Sequence, residues 1–204
     1  MTDNLQTIEE AMRNLSADNA DLRAAAIEAL GQHAHKPAVE PLTTLVEDVD
    51  PGTRYMIVQA LGRIASPQAA PTLLKALRWD DIFTRAAATG ALIQIGEPAV
   101  DGLADALRDE NKMVRRAAAK ALGKIGIASD AALTGLSTAL LDVDSSVRRF
   151  AAEALGRLGD ATMVPELAQA LDDKDPKAKI AAFRALAKID SPEARELVRA
   201  WVKQ

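Results

Sequence analysis

A ten-residue pattern that occurs six times along the chain constrains the fold more than any other feature of the sequence. The six segments align without gaps, and each has a basic residue at its second position. These residues are Arg23, Arg54, Arg85, Arg115, Arg148 and Lys179. Subtracting neighbouring positions gives spacings of 31, 31, 30, 33 and 31 residues. A period of this length is typical of supersecondary units that stack on one another.

Each copy of the pattern has the periodicity of an amphipathic helix. In the copy that begins at Val114, the apolar residues Ala117, Ala118, Ala121 and Leu122 follow at i+3, i+4, i+7 and i+8. An Asn or Asp stands four residues before each basic position, where its side-chain oxygen can cap the start of a helix. The predicted caps are Asn19, Asp50, Asp81, Asn111, Asp144 and Asp175.

A second helix follows each first helix after a short turn, so one repeat is predicted to be a helical hairpin. Leucines lead the buried stripe of five second helices, at Leu42, Leu73, Leu103, Leu136 and Leu167. Another apolar residue continues that stripe four positions later, at Val46, Leu77, Leu107, Leu140 and Leu171. A single hairpin cannot cover its own apolar stripe, so each must pack against its neighbours.

We therefore predict an all-α fold, a right-handed α-solenoid of about six hairpins preceded by a capping helix over 1–15. The count is thirteen helices, one plus six pairs, in a single domain over 1–204. The predicted repeats are 16–48, 49–79, 80–109, 110–142, 143–173 and 174–204. The composition agrees, because aromatic residues are only 3% of a chain that is 49% apolar.

Composition also limits the chemistry of the chain. There is no cysteine, which excludes a disulfide, a thiolate metal site, a cysteine nucleophile and a thioether-linked prosthetic group. No Gly-rich phosphate loop, helical His-Glu pair or nucleophile turn is present. We expect no metal site and no autonomous enzyme, and leave open a co-catalytic role. The N-terminus lacks a signal peptide and no apolar run could span a bilayer, so the prediction is a cytoplasmic protein without membrane insertion.

Charge argues against nucleic-acid binding. The net charge is −4, whereas binding to a phosphate backbone requires a cluster of uncompensated Lys and Arg. Residues 111–129 are an exception, with five basic residues and no acid. We interpret them as one solvated face of a helix, which is the usual role of such a run.

The pattern D-x-x-V-R-x-x-A-A-x-A-L-G-x-I-G, best seen in 111–126 and 144–159, resembles the HEAT-like repeat of phycobilin lyase subunits and phycobilisome-degradation proteins. The resemblance implies a curved array whose concave face, lined by the second helices, binds a phycobiliprotein subunit. It also implies a second HEAT-like lyase subunit as partner and a linear tetrapyrrole (phycobilin) bound only transiently. The acceptor thiol would belong to the client. Two alternatives remain: a protein-binding scaffold unrelated to bilins, and a nucleic-acid-binding protein similar to the repeat-built alkyl-purine glycosylases.

Candidate site residues are those that depart from the repeat. Trp79 occupies a position held by aspartate in Asp48 and three later repeats, and Phe83 occupies another position that is polar or small in most copies. Tyr55 and Met56 replace residues that are alanine in several copies. The four form a candidate partner-binding or bilin-binding cluster. The alternative is that they fill a wider gap between repeats.

Three further predictions concern polar residues. His33 stands where other copies have Ile or Leu, and is a candidate bilin-binding residue or an exposed histidine of a terminal repeat. The predicted concave polar surface comprises Thr44, Lys75, Asp105, Thr138 and Gln169. The six recurring basic residues are interpreted as a structural ladder between neighbouring repeats.

Overall fold

The structure, a computed structural model, describes residues 2–47 and 49–203, with side chains from residue 7 onward. These residues form thirteen α-helices and five short 3-10 helices, and the described part of the chain contains no strand. The prediction of an all-α fold with thirteen helices is confirmed. None of the described helices has the length and apolar character needed to cross a membrane.

The chain divides into two compact units, residues 1–99 and 100–204, and the division falls within the repeat predicted over 80–109. The prediction of one domain over the whole chain stays a prediction. The helices of the first unit are α1 (Thr2–Asn14), α2 (Ala20–Gln32), α3 (Val39–Leu45), α4 (Pro51–Ile64), α5 (Ala70–Ala76) and α6 (Ile82–Ile95). Within this unit α1 packs on α2, and α2, α4 and α6 pack in succession.

The second unit has the same construction. Its helices are α7 (Val100–Ala106), α8 (Lys112–Ile125), α9 (Asp130–Ala139), α10 (Ser145–Leu158), α11 (Val164–Gln169), α12 (Pro176–Leu186) and α13 (Pro192–Val202). The first helices α8, α10 and α12 pack in succession, and the second helices lie beside them. Each unit is therefore a stack of helical hairpins of the α-solenoid class.

Side-chain caps fix where the first helices begin. In all six, the predicted Asn or Asp accepts a hydrogen bond from a free amide of the first turn. Asp50, for example, accepts from the amides of Gly52 and Thr53 at 2.9 and 3.1 Å. Such a cap contributes about 1 kcal/mol to helix stability. The cap positions read from the sequence are confirmed.

The core of each unit lies between its first and second helices. The five leading leucines of the second helices are fully buried, and so are Val46 and Leu77. Leu171 is only half-buried, because α11 ends at Gln169 and the chain continues as a 3-10 turn over Ala170–Asp172. The sequence pattern continues through this turn and does not reveal it.

Four glycines allow the first helices to approach closely. A Cβ atom added to Gly62 would lie 2.9 Å from the Cβ of Ala91, and one added to Gly156 would lie 2.5 Å from the Cα of Ala185. Gly31 and Gly123 make the same approach to an alanine of the next first helix. The recurring contact between a glycine and an alanine of the next first helix therefore sets the distance between stacked hairpins in each unit.

The last two helices are joined by an aromatic pair. The rings of Phe183 on α12 and Trp201 on α13 stack with centroids 4.4 Å apart and planes 27° from parallel. Trp201, Leu197 and Val198 are half-buried, as expected for a terminal helix that covers the end of a stack. The stacked pair itself was not predicted from the sequence.

Candidate partner-binding site

Two of the recurring arginines join one repeat to the next in the second unit. Arg115 donates to both carboxylate oxygens of Asp142 at 2.6 and 2.8 Å. Arg148 makes the same pair of hydrogen bonds to Asp173, at 2.6 and 2.8 Å. The four side chains are only 7% to 12% exposed. Bidentate pairs of this kind fix the mutual orientation of the groups they join.

In the first unit the corresponding arginines bind backbone carbonyls of the preceding turn. Arg23 donates to the carbonyl of Ala17 at 2.6 Å, Arg54 to that of Val46 at 3.2 Å and Arg85 to that of Leu77 at 3.0 Å. These guanidinium groups are therefore engaged in local structure.

The last basic residue of the series differs from the arginines. Among the described residues, the Lys179 side chain makes no hydrogen bond or ion pair. Asp48, which aligns with Asp142 and Asp173, lies outside the described residues. Side-chain pairs between repeats are thus seen at Arg115 and Arg148.

Both members of the Arg148–Asp173 pair are held in their charged forms. The two hydrogen bonds from Arg148 lower the pKa of the Asp173 carboxyl below its ordinary value. The same hydrogen bonds raise the pKa of Arg148. Neither group titrates near neutral pH, so the pair is suited to structure and not to proton transfer.

Trp79 belongs to the same series of contacts. The guanidinium carbon of Arg54 lies 4.8 Å from the centroid of the Trp79 ring, a cation-π contact. The backbone carbonyl of Trp79 accepts a hydrogen bond from Arg85 at 2.7 Å. Trp79 therefore makes with Arg54 the contact between successive repeats that an aspartate makes with Arg115 or Arg148 in the second unit.

The other members of the predicted aromatic cluster lie apart from this contact. Tyr55 is half-buried, and its hydroxyl accepts a hydrogen bond from Gln59 at 2.6 Å. Met56 is also half-buried. Phe83 is 70% exposed in the first turn of α6. In the described part of the chain, no ring contact joins Tyr55, Trp79 and Phe83, so the structure does not assemble them into one stacked cluster.

An exposed apolar pair replaces that cluster as the most distinctive surface feature of the first unit. Ile82, next to Phe83, is 62% exposed. The signal was present in the sequence, because Ile82 aligns with Pro51, Lys112 and Ser145 at the starts of other first helices. We call these two residues the Ile82–Phe83 pair.

The second unit also has exposed apolar residues, and two of them stand close together. Leu141 and Val143, in the turn before α10, are 79% and 89% exposed. Neither is a candidate on the repeat pattern, although both stand in a turn rich in aspartate.

All five residues of the predicted polar surface are exposed on second helices. The hydroxyls of Thr44 and Thr138 donate to carbonyls of their own helices, at 3.0 Å in each case. Lys75 lies 3.8 Å from Glu47 in an exposed ion pair. Asp105 and Gln169 complete the set. The surface carries both signs of charge and neutral groups, so it does not select a strongly charged ligand.

The candidate histidine lies in the turn after α2. His33 is exposed, and its backbone amide donates to the carbonyl of Ala29 at 3.0 Å. Across residues 7–47 and 49–203, no three or more His, Cys, Asp or Glu residues come together as metal ligands could.

Comparison with known families identifies the repeat. The sequence matches the model for HEAT repeats over residues 6–93, 80–146 and 133–204. A relative in Pseudanabaena tenuis (strain PCC 7409) bears the name "Uncharacterized phycocyanin operon protein Z". It is 27% identical over 129 residues, which are 59% of this chain and 64% of the relative. The chain therefore spans less than two thirds of that relative's length.

Solved structures share the fold. A designed armadillo repeat protein in complex with the peptide (KR)4 is 19% identical, with a TM-score of 0.57 over 91% of this chain and 98% of that one. Human deoxyhypusine hydroxylase in complex with glycerol is 21% identical, with a TM-score of 0.52 over 90% of this chain and 84% of that one. At these identities the likeness shows the fold alone.

Proposed function

The chain belongs to the HEAT-repeat family, and from that premise we propose that it is a scaffold whose client is a phycobiliprotein subunit and that it assists in handling the client's bilin. HEAT repeats build protein-binding scaffolds, because stacked hairpins present long rows of side chains. The choice of client is supported by the phycocyanin operon name of the Pseudanabaena relative. It is also supported by the resemblance of the repeat to those of phycobilin lyase subunits.

The observation that carries the proposal is the exposure of the Ile82–Phe83 pair. Phe83 and Ile82 are 70% and 62% exposed at two positions where the other first helices have no aromatic residue and mostly polar or small residues. An exposed aromatic residue beside an aliphatic one is a suitable anchor for a pocket on a partner protein.

The chemistry of the chain sets its part in bilin handling. Without a cysteine, the chain cannot hold a bilin through a thioether, so that bond forms on the client. The chain would bind the client and position it for bilin transfer. A bilin would contact the chain only transiently. A second HEAT-like subunit would supply the rest of the lyase.

A general scaffold unrelated to bilins is the second candidate. It is favoured by the mixed polar surface of the second helices, which includes Thr44, Lys75 and Asp105 and suits an adaptable, polar partner. A designed armadillo repeat protein of similar fold is in complex with the peptide (KR)4, which supports a peptide segment as the client of such a scaffold.

Purified phycocyanin subunits, with and without bilin, provide the direct test. The tagged chain is mixed with each subunit, and the captured material is measured by visible absorbance and mass spectrometry. Three versions are compared: the wild-type chain, the double variant Ile82→Ser/Phe83→Ser, and the control Leu141→Ser, which removes an equally exposed apolar residue from the second unit.

We expect the wild-type chain and the Leu141→Ser control to capture a phycocyanin subunit, and the double variant to lose most of that capture. Equal capture by all three would remove the Ile82–Phe83 pair from the interface. If the wild-type chain captures neither subunit but retains one reproducible protein of another kind from cell extract, the general scaffold is the better description.

A further inference from the structure

A basic groove runs between the first helices α10 and α12 of the second unit. It encloses about 450 Å³, and five of its nine lining residues are basic while one is acidic. Arg149 and Arg157 form the α10 side, and Lys177, Arg184 and Lys188 form the α12 side. In a protein whose net charge is −4, such a concentration of positive charge on one surface requires an explanation.

Most of these cations are free to bind a partner. Arg157, Lys177, Arg184 and Lys188 are exposed, and among the described residues their side chains make no ion pair within 4.0 Å. Arg149 pairs with Glu153 at 3.1 Å, and each side chain of that pair is 33% exposed. Four positive charges therefore remain uncompensated within the fold.

The equivalent groove of the first unit shows that the repeat does not need these charges. It lies between α4 and α6 and encloses about 470 Å³, but Arg63 is the one charged residue of its lining. In the sequence alignment Gly90 stands where Arg184 stands, and Gln94 where Lys188 stands. Two grooves of the same construction thus differ mainly in charge, so the cations of the second serve something other than folding.

The lining of the basic groove also includes apolar residues. Ile180, Ala181 and Ala185 of α12 line it together with the cations. Ile180 is 40% exposed, which is unusual for an aliphatic residue in the middle of a helix. The alanine of the first unit at this position, Ala86, offers a smaller apolar surface. An exposed aliphatic residue beside a row of positive charge suits a partner helix that carries both apolar and acidic residues.

Phe150 helps to hold two cations in place. The guanidinium carbon of Arg149 lies 4.2 Å from the centroid of the Phe150 ring, and that of Arg116 lies 5.8 Å from it. Each cation-π contact restricts a long side chain before any partner binds. The conformational entropy lost on binding is correspondingly smaller.

We propose that this groove binds an acidic amphipathic helix of a partner protein. The inference rests on the proposed scaffold function and specifies the chemistry of one contact. Along α12, Lys177, Arg184 and Lys188 are spaced by seven and four residues, or about 10 and 6 Å at the rise of a helix. Glutamates with helical spacing on the partner match these intervals, and its leucines contact Ile180.

A nucleic acid fits the groove less well. A phosphate backbone presents no apolar face to Ile180, and the negative net charge of the chain opposes a long polyanion at a distance. The groove therefore favours a short acidic segment over a polyanion.

Binding of an acidic amphipathic helix is tested with a labelled peptide of Glu and Leu. Its affinity is measured by fluorescence anisotropy and compared with that of a scrambled peptide of the same composition and of a DNA duplex. The variants are Arg184→Gln/Lys188→Gln and Ile180→Ser. The control Arg13→Gln/Arg63→Gln removes the same charge from exposed positions in the first unit.

We expect the ordered peptide to bind more tightly than the scrambled one, and the Arg184→Gln/Lys188→Gln variant to weaken it by about tenfold. Ile180→Ser should weaken it by a few-fold, and the control should change it little. Equal loss in the control, equal affinity for the scrambled peptide, or tighter binding of the duplex would overturn the inference. Phycocyanin capture that fails while the peptide behaves as expected rejects the proposed client and leaves the groove intact.

Discussion

At the scale of single residues, Trp79 shows how a departure from the repeat can have a structural as well as a functional meaning. Its ring contacts Arg54, which precedes it by 25 residues. Arg148 and Asp173 are separated by the same number of residues, and Arg115 and Asp142 by 27. The tryptophan thus replaces a carboxylate in the contact between neighbouring repeats.

Substitution of Trp79 distinguishes its contact with Arg54 from the packing of its ring. Trp79→Asp recreates an Arg–Asp pair with Arg54, so we expect the free energy of unfolding to change by less than about 1 kcal/mol, as measured by urea denaturation. Trp79→Ala removes the cation-π contact of Arg54, whose hydrogen bond to the carbonyl of Val46 remains, and should cost about 2 kcal/mol. Equal damage by the two substitutions would show that the ring is needed for packing and not for the contact with Arg54.

The sequence marks Trp79 as an exception, but periodicity alone does not supply its partner. Finding Arg54 requires knowing that the basic position of one repeat contacts the Asp position of the next, which the structure shows at Arg115 and Arg148. Phe83 and Ile82 are a different case. Their exposure follows from their alignment with Pro51 and Gly52, and only Phe83 was selected as a candidate.

At the scale of elements, the close contact between a glycine of one first helix and the next first helix can be tested by comparing two glycine substitutions. In Gly62→Ala the new methyl group would lie 2.9 Å from the Cβ of Ala91, so α4 and α6 must separate. We expect a loss of about 1–3 kcal/mol in the free energy of unfolding. Gly90→Ala is the matched control, since nothing lies within 4 Å of its added Cβ.

The control Gly90→Ala should not lower the stability of the chain. Alanine is favoured over glycine in the interior of a helix by about 1 kcal/mol, so Gly90→Ala should leave the chain as stable or more stable. Thermal and urea unfolding of both variants check the pair. If Gly62→Ala were also neutral, the close approach of α4 and α6 would not be a determinant of stability.

The Arg148–Asp173 pair predicts how the stability of the second unit depends on pH. Because the folded state lowers the pKa of Asp173, the pair contributes its full stability above the unfolded pKa of about 3.9. That contribution is lost as the pH falls from there through the folded pKa. Asp173→Asn should therefore flatten the acid side of the stability curve and cost about 3 kcal/mol at neutral pH.

Urea denaturation between about pH 6 and pH 2 measures this dependence. Asp172→Asn is the control, because Asp172 is exposed and makes no ion pair among the described residues. The control should keep the acid-sensitive slope of the wild-type chain. A wild-type slope that persists in Asp173→Asn would place the sensitivity at other carboxylates, such as Asp142.

The helices themselves were largely predictable, and the exceptions have physical reasons. A cap such as Asp50 acts on its own helix, and a leucine such as Leu42 recurs with a regular period. Both can therefore be predicted from the sequence pattern. The 3-10 turns over Lys36–Ala38 and Ala170–Asp172 do not alter that period. They emerge only when the chain must join two packed helices through a short connection.

At the scale of the whole molecule, the total charge conceals an uneven distribution. The chain is acidic overall, at −4, yet the groove between α10 and α12 is strongly basic. The basic run over 111–129, which the sequence predicts to be a solvated face, contributes no residue to this groove. The groove became visible only when cations from two helices, far apart in sequence, were placed side by side.

The two proposed contacts depend on different forces, and salt distinguishes them. Contact through the Ile82–Phe83 pair is apolar and should be insensitive to salt or strengthened by it. Contact through the basic groove is electrostatic and should weaken as added ions screen the charges. If a client uses both, capture by the wild-type chain should fall partly, and not completely, as salt rises from about 0.05 to 0.5 M.

The variants then predict opposite salt responses in the same capture experiment. In Ile82→Ser/Phe83→Ser only the groove contact remains, so the residual capture should disappear at high salt. In Arg184→Gln/Lys188→Gln only the apolar contact remains, so capture should be weaker at low salt and nearly constant thereafter. If one surface alone binds the client, its own variant should lose capture and the other variant should keep the wild-type salt curve. Identical salt curves for the two variants would mean that neither surface binds the client.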